Sequence, residues 1–125
     1  MCTNQYKAGS CNIGEAEIRI RQKFLVSFLL ISIILTITVH FLHSLWIFYL
    51  LFLTTLATII LFVEVVSRFC VLFAIFSLHN FHEPGNLDTI DNKHCKKKDR
   101  LRALYIIIGS IVVALLYSWS ISVFC

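Results

Sequence analysis

The residues with the most chemistry to offer are sulfur and imidazole. Cys11, Cys70, His79, His82, His94 and Cys95 are soft or borderline ligands of the kind that suits zinc or copper(I). Their spacing is irregular, and His94 and Cys95 are adjacent in the chain, a poor ligand pair, so no metal or other cofactor is assigned to them. Cys11 and Cys70 are instead candidates for a thiol pair. The sequence has five cysteines, an odd number that forbids complete internal pairing, and no Cys-x-x-Cys. Reduced thiols, buried or at a cytoplasmic surface, are the simplest reading of the set.

Acids and bases are few and placed at the ends of apolar runs. Glu64 and Arg68 are four apart, a spacing that lets them pair on one helical face at a membrane boundary. An acid near a span invites functional suspicion, but a structural ion pair explains this one. His40 and His43 could titrate near neutral pH, yet they lie in a short polar interruption with no acid beside them. Lys96, Lys97, Lys98, Arg100 and Arg102 form a basic cluster suited to anionic lipid head groups and to setting orientation. No nucleophile–base arrangement and no phosphate-binding loop is evident, so the sequence points to a non-enzymatic protein.

These groups must be positioned by membrane helices. Of the 125 residues, 58% are apolar and 14% charged, against about 45–50% and 25% in an ordinary soluble domain. Mean hydropathy is +0.84. Not one Lys, Arg, Asp or Glu occurs from Phe24 to Phe62, and about 20 apolar residues suffice to cross the hydrocarbon. The net charge of +4 comes from basic residues flanking apolar runs, so it does not indicate nucleic-acid binding.

An all-α polytopic fold follows, with spans at 24–43, 45–63 and 103–124. Residues 1–11 read as a flexible tail and 12–125 as a single membrane domain, its first helix opening near Asn12 with Glu15 three positions on. The first apolar run lacks a small-residue cleavage pattern and is expected to be retained. Segment 65–81 holds only ten consecutive uncharged apolar residues, Phe69–Leu78, too few to span. An interfacial or re-entrant helix is expected there, followed by a turn at Glu83-Pro84-Gly85-Asn86. Segment 82–102 reads as a cytoplasmic loop. The positive-inside rule then puts the N-terminus and that loop inside, and the C-terminus outside. Trp46 and Trp119 fall near one outer interface.

Ser110, Ala114, Ser118 and Ser122 recur every four residues and give the last span a face for close helix packing, within the chain or in a homo-oligomer. Thr36, Thr54, Thr58 and Ser110 are the polar residues a pore or small transporter would line its path with. A holin-like role is disfavoured because Val123-Phe124-Cys125 lacks a charged tail.

The pattern Cys11-Asn12-Ile13-Gly14-x-x-Glu17-x-Arg19-x-Arg21, then Arg68-Phe69-Cys70, Asn80-Phe81 and Asp99-Arg100-x-Arg102-Ala103 resembles a family of small uncharacterised bacterial integral membrane proteins. More distantly, residues 11–80 resemble the short inner-membrane domain that sometimes accompanies rhodanese sulfurtransferases. This chain departs from that form in having Val71 where a proline often follows the cysteine, a third span and no rhodanese domain. The first resemblance implies a bacterial cytoplasmic membrane location and no defined activity. The second implies a role in sulfur handling, as an analogy. The partners expected are the bilayer with its anionic head groups and a second copy or another membrane protein.

Overall fold

The computed structural model describes residues 6–80 and 88–124. The described residues form four helices, α1 (Glu15–Leu42), α2 (Leu45–Ser67), α3 (Val71–Phe76) and α4 (Lys93–Phe124), with a two-residue antiparallel ladder between β1 (Leu78–His79) and β2 (Asp88–Thr89). The expected Glu83–Asn86 turn lies outside the described residues. Helices α1, α2 and α4 are each long and apolar enough to cross a membrane, the architecture of a multi-pass membrane protein. Their large apolar side chains face outward along most of their length: Leu30 is 55% exposed, Leu53 57% and Leu116 54%. No water-soluble protein leaves so continuous an apolar surface uncovered.

Helix ends explain the layout. The α1–α2 hairpin needs only His43 and Ser44, so His40 stays helical. His43 takes the left-handed conformation at φ 43° and donates its N–H to the Val39 carbonyl, closing α1 without a glycine. Arg68 ends α2 in the same way at φ 53°, bonded to the Glu64 carbonyl, and Ser77 ends α3 at φ 57°. Segment 65–81 is therefore divided: α2 runs on to Ser67, the chain breaks at Arg68, and α3 is six residues long. At about 1.5 Å per residue it rises roughly 9 Å, too short to span. Val71 and Ala74 of α3 are buried while Leu72 and Phe76 are exposed, the pattern of a helix lying along a surface.

Two expectations are corrected at the other boundaries. The basic stretch is not loop: α4 begins at Lys93, where the Asn92 side-chain oxygen accepts the His94 N–H at 2.9 Å, and the Lys, Arg and Leu residues that follow favour helix. Nor does α1 open at Asn12. It opens at Glu15 behind Gly14, because Asn12 is held in an extended segment by long-range bonds.

Helix α2 is central, packing on α1 and on α4. Along α4, Ser110 and Ala114 are 3% and 0% exposed, so this part of the small-residue face is used within the chain. The face diverges beyond it, with Ser118 half-buried and Ser122 exposed. Across the gap between α1 and α4, the Thr36 and Tyr117 hydroxyls meet at 2.8 Å.

Candidate functional site

The polar residues gather at the end of the bundle where α1 begins and α2 ends. Arg21 and Glu64 lie roughly 20 residues on either side of the hairpin, so antiparallel packing brings them to one level. Arg21 Nε donates to Glu64 Oε2 at 3.3 Å, and its Nη1 donates to the Glu17 carboxylate one turn back on α1. Its Nη2 donates to Cys70 Sγ at 3.1 Å, and the guanidinium lies over the Phe73 ring, 5.2 Å from its centroid. One cation thus joins α1, α2 and the start of α3.

Each acid is satisfied on its second oxygen. Glu64 Oε1 accepts the backbone N–H of Val71 at 3.0 Å, one of the amides a helix start leaves unpaired. Glu17 Oε1 accepts from Asn80 Nδ2 at 2.9 Å. Asn12 completes the set by pairing with the Cys70 backbone: its Nδ2 donates to the Cys70 carbonyl at 2.9 Å and its Oδ1 accepts the Cys70 N–H at 2.6 Å. Its own carbonyl accepts the Asn80 N–H at 2.9 Å, and Gly14 N–H donates to the Asn80 carbonyl at 2.7 Å. Asn12 and Asn80 are both fully buried.

A second cluster clips the N-terminal arm to α4. Asp99 is completely buried and accepts from the Tyr6 hydroxyl and the Gly9 N–H, each at 2.6 Å. Arg102, one turn on, donates to the Gly9 carbonyl and stacks over Phe69 at 5.0 Å. Gly9 has φ +66°, and a Cβ there would sit 3.4 Å from Lys98 Cβ, so this close turn favours glycine. Tyr6 also stacks on His79, centroids 4.9 Å apart. Burial, reinforced by the bond to Asp99, pushes the Tyr6 phenol well above its ordinary range. Residues 6–11 are therefore not a loose tail.

Several expected sites change partners. Glu64 does not pair with Arg68: the helix ends at Ser67 and the left-handed Arg68 leaves the i, i+4 face, so Arg68 meets Glu15 at 3.7 Å while Glu64 meets Arg21. Cys11 and Cys70 do not form a thiol pair, since Cys70 is a free thiol while Cys11 is disulfide-bonded. Successive side chains of an extended segment point to opposite sides, so Asn12 reaching Cys70 turns its neighbour Cys11 away. Arg102 leaves the expected basic set for the arm clip, and Lys98 lies beside Gly9 of the arm. Among the described residues, no three His, Cys, Asp or Glu side chains gather to hold a metal. The Thr36, Thr54 and Thr58 hydroxyls return to carbonyls of their own helices.

Asn12, Glu17, Asn80 and Asp99 were not singled out as sites by residue chemistry. The available signal for Asp99 was an acid inside a basic run, and for Asn12 and Asn80 only their place in the family-like motifs. In the structure Asn12, Glu17, Arg21, Cys70 and Asn80 form one network, Asp99 and Arg102 the other. Compared with known protein families, curated proteins and solved structures, the chain matches none.

Chemically, the cluster holds its groups rather than exposing them. Cys70 is 1% exposed; burial, aided by the Glu64 charge, raises its thiol above the ordinary 9.0 despite the opposing pull of Arg21. At neutral pH it is a neutral thiol accepting a bond. Two outcomes follow. Arg21→Ala strands two buried carboxylates and is expected to destabilise the detergent-solubilised protein by about 3–5 kcal/mol, whereas Glu15→Gln, at the half-exposed pair, costs under about 1 kcal/mol; thermal unfolding compares them. Maleimide labelling of folded Cys70 at pH 8 should run at least about tenfold slower than that of Cys95, and equal it in denaturant. Because the folded thiol's pKa is raised, its contribution to stability is present below pH 9 and lost as pH rises beyond.

Proposed function

We propose that the chain is a non-enzymatic, three-span component of the bacterial cytoplasmic membrane, acting through structure and interaction. The observation that carries this reading is the internal satisfaction of the polar cluster. Each carboxylate oxygen of Glu17 and Glu64 and the three guanidinium nitrogens of Arg21 bond within the chain. The thiol beside them is buried and held neutral. A catalytic centre would leave a group poised toward a substrate, and here the groups are turned on one another.

Orientation follows from charge. The basic residues of α4 and the start of α1 lie at the cluster end, favouring the inside for it. Trp46, at the start of α2, and Trp119, near the end of α4, are 79% and 67% exposed and suit the opposite interface. The expectation is that a reporter fused after Cys125 reads outside and one inserted at Asn92 reads inside; the reverse pattern contradicts the orientation. Affinity capture from native membranes should return a stoichiometric membrane protein or a second copy, and recovery of the chain alone contradicts the interaction role.

The disulfide at Cys11 favours a second reading, a redox-responsive membrane protein. Disulfides on the cytosolic side are usually transient and redox-sensing. Thiol-trapping gel shifts of membranes before and after oxidant should show Cys11 changing state; an unchanging state sinks this reading.

A further inference from the structure

The structure splits the basic run of α4 into two sides. Asp99 and Arg102 face the N-terminal arm. Lys93, Lys96, Lys97 and Arg100 face away from it and, with Leu101 and Leu104, line a concave surface of about 380 Å³. Among the described residues none of these four cations forms an ion pair. Of the two acids flanking the run, Asp99 is buried and bonded to Tyr6 and Gly9, and Asp91 is exposed before Lys93.

The four cations lead straight into lipid-facing apolar surface. Positions 93, 97, 100, 104 and 108 advance by four, three, four and four, one stripe of an α-helix. Leu101, Leu104 and Ile108 are 45%, 51% and 51% exposed. The helix supplies the change at the depth a bilayer requires. Its 32 residues rise about 48 Å, against roughly 30 Å of hydrocarbon, so the Lys93–Arg100 turns stand at head-group level.

We infer that this stripe is a binding site for an anionic phospholipid, its phosphate held by Lys93, Lys96, Lys97 and Arg100 and its acyl chain lying along Leu101 and Leu104. This rests on the membrane reading above. A zwitterionic lipid would bring its own ammonium into a field where four cations outnumber the one exposed acid beside them, Asp91, so net negative charge is selected. Arg19, Lys23 and Val26 of α1 line a comparable surface with Gln22, carrying two cations instead of four. Each Lys or Arg near an anionic head group contributes about 1 kcal/mol, or roughly fivefold in affinity.

The test is native mass spectrometry of the full chain released from micelles doped with phosphatidylglycerol or phosphatidylcholine, with inorganic phosphate as a competitor. Phosphatidylglycerol should be retained over phosphatidylcholine, and the Lys97→Gln/Arg100→Gln double variant should lower its retention roughly 10- to 30-fold. That variant keeps Lys93, Lys96, Lys98 and Arg102, so the orientation signal survives, and circular dichroism checks its fold. Equal retention of the two lipids, or an unaffected double variant, overturns the inference. So does displacement of the lipid by millimolar phosphate, since the leucine contacts would then be dispensable. Failure of the membrane reading is separately visible: carbonate washing would release the chain from membranes.

Discussion

Buried charge must be paired where it stands, and in this chain one guanidinium links three segments. Arg21 reaches Glu17 on its own helix, Glu64 on α2 and the Cys70 sulfur at the α2–α3 corner. Around it the helices have little apolar incentive to associate, because lipid tails solvate their outer faces as well as a neighbouring helix would. The ion cluster therefore fixes the register of α1 against α2, with the short His43–Ser44 hairpin constraining the far end. Moving either helix by one turn would leave a carboxylate without its cation. Glu64 extends the effect to α3 by accepting the Val71 amide, so the corner at Arg68 is built on the same carboxylate.

The arm clip depends on that corner. Once Arg68 turns the chain, Phe69 and Cys70 are buried. Asn12 pairs with the Cys70 backbone, and Arg102 of α4 stacks over Phe69. Asp99 then holds Gly9 and Tyr6 from below. In this way α4, which meets α1 only sparsely, is tied to the start of the chain through polar contacts at one end. The result is a hydrogen-bonded polar cluster at one end of the bundle and an apolar, outward-facing remainder. Such a division suits a protein that works by presenting surfaces.

The membrane class, the three long helices and a short non-spanning helix within 65–81 were legible because hydropathy and length act locally and do not depend on partners. Span edges followed from the same signal to within a turn or two, except at the end of the bundle that holds the polar cluster, where helices continue past the apolar runs. The site was less legible. Glu64 and Arg68 satisfy the i, i+4 rule only if the helix continues, and the left-handed turn at Arg68 removes that premise. The true partner, Arg21, is 43 residues away, and Tyr6 finds Asp99 at a separation of 93. Pairings of this range leave no periodic trace. Equal distance of Arg21 and Glu64 from the hairpin was a usable clue. Nothing comparable marked Asn12, whose side chain substitutes for a strand neighbour, or separated Arg102 from the lysines before it.

The central claim is that Arg21 and Glu64 are energetically coupled across α1 and α2. A double-mutant cycle with Arg21→Met and Glu64→Gln, read by reversible unfolding in a single detergent, measures this directly. A coupling energy above about 1 kcal/mol is expected, the double variant being less damaged than the sum of the singles. Additivity within about 0.5 kcal/mol would contradict it.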